Sequence, residues 1–267
     1  MTPSRRFLFA SDLDGTLLPN TSTVPPAGCL RRTIAMLESL LSADCPVCYI
    51  SGRHLSLARK GQEAFFLPKP DYWVCNVGSE IYSRGGRLDR QWSEQLGPAF
   101  DHAAMWSLLR DLEGLAPQES VKQGRHKFSL YSVGHPTAEM VQQIISRMPE
   151  SDRFRVVTSV DEKSDRGLLD ILPADAGKAQ ALAYLMHRLG FTATDTFFSG
   201  DSGNDLDALT SGIFGTLVGN TPKNVCIQAC QLMQERSASR IHFSEAPYGD
   251  GVIEGLQAGG YLALEDG

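Results

Sequence analysis

The sequence predicts an α/β fold: a parallel sheet with crossover helices, interrupted by an inserted α+β unit. Three observations carry this reading. Apolar runs of strand length alternate with helical stretches from residue 7 to residue 77, and again from 179 to 234. Between them, from about 83 to 167, strand-like and helical stretches form one block whose alternation suits antiparallel pairs. Charge divides the same way: 84–167 holds twelve basic and twelve acidic residues, so the whole formal charge of −6 falls outside it.

The elements follow in order. FLFAS (7–11) is a short buried-strand run, cut off by Asp12. RRTIAMLESLLS (31–42) carries Ile34, Leu37, Leu40 and Leu41 at helical spacing. VCYIS (47–51) is a strand stopped by Gly52, and a helix follows to about Ala64. DYWVCNV (71–77) is the next strand, closed by Gly78. The inserted block, 84–167, opens with a Gly-Gly turn and a helix over 100–113. KFSLYSV (127–133) alternates like a half-buried strand, a helix covers 136–148, and FRVVTSV and LLDILP are strand-like. Then come a helix over 179–189, the strand TFFSG (196–200), a short helix at 205–210, the strand GTLVGN (215–220) and a helix over 222–234. The expected partition is a core of 1–83 and 168–267 with an insert of 84–167.

Composition narrows the function. A chain of 267 residues, 42% hydrophobic and 21% charged, has the means to bury a core. Its acidic balance argues against a general nucleic-acid binder, which needs a basic face. No apolar run is long enough for a membrane helix, and FLFA is too short for a secretory signal, so a cytoplasmic protein is expected. Six cysteines lie at 29, 45, 48, 75, 226 and 230. Cys45 and Cys48 form a CPVC motif, but it runs straight into a strand and no second CxxC completes a zinc site. Reduced, partly buried thiols are expected at all six.

The chemistry-bearing motifs sit at strand ends. Asp12-Leu13-Asp14-Gly15-Thr16 places two carboxylates two residues apart directly after a strand, where they can converge on one face. Gly200-Asp201-Ser202-Gly203-Asn204-Asp205 does the same after TFFS. Four carboxylates from two strand ends call for a hard cation, and oxygen ligands point to Mg²⁺. Ser51-Gly52-Arg53 offers a hydroxyl and backbone N–H groups to an anion. Lys178 begins a helix, where a cation opposes the dipole. In the insert, Lys122, Arg125 and Lys127 are close enough in sequence to help receive an anionic ligand. Each piece alone has a bland reading as an acidic turn, a common loop or a solvated surface residue.

The ordered set, Asp-x-Asp-x-Thr, then Ser, then Lys, then Gly-Asp-x-x-Asn-Asp, resembles the haloacid dehalogenase superfamily of phosphohydrolases. That resemblance implies a Rossmann-like core with an α+β cap of the second type, inserted between the Ser51 strand and Lys178. PDYWVCNVGSEIY (70–82), Lys127-Phe128-Ser129, Asp170-Ile171-Leu172-Pro173, SGDSGNDLDAL (199–209) and the stretch from Asp250 to Leu256 are similar to the sucrose-phosphate phosphatase group, which has mannosylfructose-phosphate phosphatase among its close relatives.

By that resemblance, Asp12 is the nucleophile that forms an aspartyl-phosphate, and Asp14 is the acid and then the base. Mg²⁺ is held by Asp12, the Asp14 backbone carbonyl and Asp201. Asp205 orients the metal shell, with Ser202 and Asn204 nearby. Thr16, Ser51, Gly52, Lys178 and Asn204 hold the phosphate. Ser79, Glu80, Gln123, Lys127 and Asp170 are the candidate sugar contacts. Tyr131, Trp92 and Trp106 read better as packing residues. The resemblance implies hydrolysis of a sugar phosphate, sucrose 6-phosphate first, in sucrose biosynthesis. The partner is a small sugar phosphate, with a functional association with a sugar-phosphate synthase. A mannosylfructose-phosphate phosphatase, a broader sugar phosphatase, a phosphotransferase or mutase, and a non-catalytic binding module are the alternatives. Retention of Asp12 and Asp14 weighs against the last.

Overall fold

A computed structural model of the chain describes residues 2–20, 23–161, 164, 166–236 and 238–263. Its elements run β1 (Leu8–Asp12), α1 (Cys29–Ser42), β2 (Val47–Ile50), α2 (Leu55–Ala64), β3 (Tyr72–Cys75), β4 (Glu80–Ser83), α3 (Arg90–Gln95) and α4 (His102–Leu109). Next come β5 (Leu115–Pro117), β6 (Phe128–Ser132), α5 (Ala138–Arg147), β7 (Phe154–Asp161) and β8 (Arg166–Pro173). The chain continues through α6 (Lys178–Leu189), β9 (Thr196–Gly200), α7 (Leu206–Leu209), β10 (Phe214–Leu217), α8 (Lys223–Glu235), β11 (Arg240–Phe243) and α9 (Tyr248–Ala258).

Seven strands form one sheet in the order β11-β10-β9-β1-β2-β3-β4. All its pairs are parallel except β3–β4. β1 is central and wholly buried, as a strand covered on both faces must be. Alternate residues feed two cores. Leu8 and Ala10 face a cluster with Leu182 and Leu185 of α6, Leu209 of α7 and Ala229 of α8. Phe7 and Phe9 face another with Met36, Leu37 and Leu40 of α1 and Val252 and Leu256 of α9. The result is a helix–sheet–helix sandwich. Fully burying each Leu, Val, Met or Phe side chain among these stabilises by about 1.5–3 kcal/mol.

The second sheet is antiparallel, β5-β6-β8-β7, and has its own core of Leu109, Phe128, Leu130, Ile144, Leu169 and Ile171. β8 carries this sheet across residue 167 to Pro173. Residues 90–96 lean the other way: Trp92 and Leu96 pack in the large sheet's core. Trp92 is thus a packing residue, and Trp106 packs partly buried against the small core. Tyr131 is not in a core; its ring lies between Lys122 and Arg166 and its hydroxyl donates to Glu119. All six cysteines are free thiols, four of them buried. Among the described residues, no helix is long and apolar enough to cross a membrane.

Candidate active site

Strand order brings three loops to one edge. In the sheet, Ser199 lies level with Ser11, and Ile50 lies level with Asp12. The segments leaving β1, β2 and β9 therefore open side by side at the C-terminal edge, where open parallel sheets bind ligands. The chain turns sharply after Asp12. Gly15 has φ +79°, and its N–H donates to the Leu18 carbonyl at 2.8 Å. A Cβ at that position would overlap the Asp201 carboxylate.

Asp12, Asp201 and Asp205 are buried, and one oxygen of each lies within 4.8 Å of the others. Lys178, the first residue of α6, reaches into the cluster. Its Nζ is 3.1 Å from Asp12 Oδ1 and 2.7 Å from Asp205 Oδ1. The cation at a helix N-terminus thus has its reason: two carboxylates outweigh the dipole. Asp205 is fully engaged, because its Oδ2 accepts from the N–H of Asp201 (3.2 Å), the N–H of Ser202 (3.0 Å) and the Ser202 hydroxyl (2.9 Å). It braces the 201–205 loop. Thr16 donates its hydroxyl to Asp201 Oδ1 at 3.1 Å. Among the described residues, Oδ2 of Asp12 and Oδ2 of Asp201 accept no hydrogen bond.

Burial pushes the Asp12 carboxyl up to about 7; Lys178 opposes this, while Asp205 and Asp14 add to it. Asp201 is raised well above the usual carboxylate range by burial, then by Asp12 and Asp205. Burial works against the Lys178 ammonium, yet Asp12 and Asp205 hold its pKa above the ordinary lysine value. One ammonium against three carboxylates leaves the cluster short of positive charge. The two free oxygens, all-oxygen chemistry and that deficit fit a hard divalent cation such as Mg²⁺.

Asp14 does not join the three by its side chain. The Gly15 turn swings it outward, where its carboxylate is 43% exposed and pairs with the Arg53 guanidinium. Residue 14 is already past the strand, so its carboxylate faces Arg53 while its charge still acts on Asp12. Ser51 is buried and its Oγ accepts from the Arg53 N–H at 3.1 Å. Gly52 follows it at the loop, and Asn204 Oδ1 accepts from the Ser202 hydroxyl at 3.1 Å.

The sugar candidates divide. Lys127 is buried, with Nζ 2.7 Å from Ser129 Oγ and 3.1 Å from Asp170 Oδ1. Glu80 Oε2 accepts from Asn76 Nδ2 and the Tyr82 hydroxyl, both at 2.8 Å. The Ser79 hydroxyl donates to the Asn76 carbonyl at 2.9 Å. Gln123 is spent on its own unit: Nε2 donates to the Gln118 and Ser129 carbonyls, and Oε1 accepts from the Ser129 N–H. Three basic residues of the insert have separate surroundings. Lys122 is taken by Glu119 and Tyr131, Lys127 by Asp170, and Arg125 is exposed. Sequence reasoning passed over Arg53 as a partner of Asp14, and over His54. Burial and then Lys127 lower the His54 pKa, while Glu80 opposes them, so charges of insert and core meet there.

A family model described as sucrose-6F-phosphate phosphohydrolase matches residues 5–258. The mannosylfructose-phosphate phosphatase of Agrobacterium fabrum is 30% identical over 96% of this chain and 97% of its own. Sucrose-phosphatase 1 of Nicotiana tabacum is 28% identical over 90% of this chain, which spans only 54% of that protein's length. The crystal structure of the sucrose-phosphatase from Synechocystis sp. PCC6803, in complex with sucrose and phosphate, superposes with a TM-score of 0.81 at 25% identity. That match covers 97% of this chain and 100% of the other.

Proposed function

The chain belongs to the sucrose-6F-phosphate phosphohydrolase family within the haloacid dehalogenase superfamily, and on that premise we propose that it hydrolyses a disaccharide phosphate, sucrose 6-phosphate first, to free sugar and phosphate. As a member it is a phosphoric monoester hydrolase. The observation that carries the mechanism is the state of Asp12: buried, fixed through one oxygen by Lys178, and free at the other.

In this reading, one carboxylate oxygen of Asp12 attacks phosphorus in line with the sugar oxygen, and the other is left to the cation site. The phosphorus–oxygen bond to the sugar breaks, and Asp14 donates a proton to the departing oxygen. Asp14 then takes a proton from the water that attacks the aspartyl-phosphate; phosphate leaves and Asp12 is regenerated. For this, Asp14 must exchange its Arg53 partner for the leaving group. Lys178, Ser51, the N–H groups at Gly52, Thr16 and Asn204 cradle the phosphoryl oxygens. Asp12, Asp201 and the Asp14 carbonyl would hold Mg²⁺, with Asp205 bracing the loop. When bound, the ion supplies charge neutralisation that lets an anionic nucleophile approach an anionic phosphate.

We assign sugar selection to the four-stranded unit, as the insert closing over the sheet edge, with Lys127 and Asp170 from that unit and Ser79 and Glu80 from the large sheet as contacts. An enzyme of the sugar-phosphate synthase class must supply such a substrate, and functional association with one belongs to the same reading. Mannosylfructose phosphate is the second substrate reading, supported by the full-length match to the Agrobacterium fabrum enzyme. A phosphate-release screen over sucrose 6-phosphate, mannosylfructose phosphate, trehalose 6-phosphate and simple hexose phosphates tests both. Equal turnover of the hexose phosphates would defeat them.

A further inference from the structure

The turn after β3 carries positive φ at three consecutive residues: 49° at Asn76, 58° at Val77 and 91° at Gly78. Left-handed backbone costs a side-chain-bearing residue roughly 1–2 kcal/mol, and a β-branched residue there is an outlier. Such strain persists only where the surroundings enforce it. Here they do so from three sides. The Asn76 N–H donates to the Arg53 carbonyl at 2.8 Å, and the Val77 N–H donates to the Ser51 carbonyl at 3.1 Å. Gly78 lies against the Gly177–Lys178 peptide so closely that a Cβ would overlap it. On the side of the insert, a Cβ on Gly124 would sit 3.1 Å from Asn76 Nδ2 and 3.2 Å from Lys127 Cβ. One turn therefore touches the Ser51 loop, the root of Lys178 and the insert.

At this junction Asn76 is 2% exposed. Its Nδ2 donates to Glu80 Oε2 at 2.8 Å. That bond fixes the amide, because the flipped orientation would set oxygen against carboxylate. The remaining atom, Oδ1, has no hydrogen-bond partner. A buried acceptor left unpaired costs about 1–3 kcal/mol. The chain thus maintains a strained turn whose product is a single unsatisfied acceptor at the seam between sheet edge and insert.

We propose that Asn76 Oδ1, closed off from solvent here, is a specificity subsite that accepts a hydrogen bond from one hydroxyl of the substrate's sugar when that sugar parts the insert from the sheet edge. The inference rests on the sugar-phosphate reading above and extends it to a residue outside the candidate set. An amide oxygen so fixed accepts and cannot donate. It therefore rewards a hydroxyl and gives nothing to a phosphate, a carboxylate or an ether oxygen. A sugar lacking that hydroxyl leaves Oδ1 unpaired, which is how buried polar groups discriminate.

The test compares kcat/KM for the sugar phosphate that wild type prefers with that for p-nitrophenyl phosphate. Asn76→Gly keeps the left-handed turn and removes the amide. The ratio of the two constants should fall by about tenfold or more. Monodeoxy analogues of the sugar phosphate give a second measurement that needs no variant: removal of one hydroxyl should cost wild type about tenfold, and that loss should vanish in Asn76→Gly. A preserved ratio, or uniform tolerance of every deoxy analogue by wild type, overturns the subsite while leaving the sugar-phosphate reading intact. A wild type with no preference for any sugar phosphate over the aryl ester overturns that reading itself, and the subsite with it.

Discussion

Gly15 and the Asp201 carboxylate are in such close contact that no side chain fits between them. The contact links the turn after the first strand to the loop after the ninth. Gly15→Ala adds a Cβ both at φ +79° and into that carboxylate. We expect kcat/KM to fall by about 100-fold or more, since displacement of groups at the reacting centre costs on that scale. A thermal melt and a phosphatase assay measure it; wild-type activity would show that Asp201 needs no fixed position.

Asp12→Asn keeps the shape of the side chain and removes the anionic nucleophile. Turnover should drop by about 1000-fold or more, roughly 4 kcal/mol, with the fold retained by circular dichroism. Asp14→Asn should instead accumulate phosphorylated protein, visible by mass spectrometry, because water activation fails. Appreciable activity in Asp12→Asn would rule out the covalent route.

Activity should disappear on exhaustive chelation and return with Mg²⁺. Excess Ca²⁺ should inhibit, because it takes more ligands at longer distances and spoils the in-line arrangement. Full activity in EDTA would contradict the assignment of Asp12 and Asp201 to a metal.

Stability of the metal-free protein should depend on pH through Asp12. Its folded pKa, about 7, lies above the unfolded value, so the folded state binds the extra proton between the two. The stability this provides is complete below the unfolded pKa and is lost as pH rises through about 7. The Tm without metal should therefore fall over that interval. Asp12→Asn should reduce the slope, and Mg²⁺ should raise Tm more at neutral pH than at acid pH. A flat metal-free profile would mean that Asp12 is ionised throughout.

Lys127→Ala should lower kcat/KM for the disaccharide phosphate by about tenfold or more, about 1.4 kcal/mol, and lower that for a small aryl phosphate much less. An equal loss for both substrates would place Lys127, with its buried Asp170 partner, in the fold or in phosphate steering rather than in sugar recognition.

The legible parts of this molecule were those whose signal is local. An apolar run ended by an acid marks Asp12 and Asp201 at strand ends, and a lysine opening a helix marks Lys178. What escaped depends on partners distant in sequence. Nothing in DLDGT says that Asp14 will turn to Arg53. Nothing in DYWVCNV says that the strand stops at Cys75 and bends left-handed at Asn76, since a period-two pattern carries no sign of φ. β4 and β11 are four-residue edges, and β5 is three residues ending in proline, too short to register as periodicity. α9 carries Gly249, Gly251 and Gly255, poor helix formers that hold their place by packing. The 167/168 boundary falls inside β8, whose LLDILP the sequence groups with the strands of the insert.

The small sheet's separate hydrophobic core has an evolutionary consequence. Its interior can accumulate substitutions, and its outer loops can lengthen, without disturbing the cluster of Asp12, Lys178, Asp201 and Asp205. If this unit selects the sugar, as we propose, selection can retune which sugar is admitted while the acidic cluster stays still. A chimaera tests this directly: grafting the corresponding segment of a relative between β4 and α6 should transfer that relative's substrate preference to this chain.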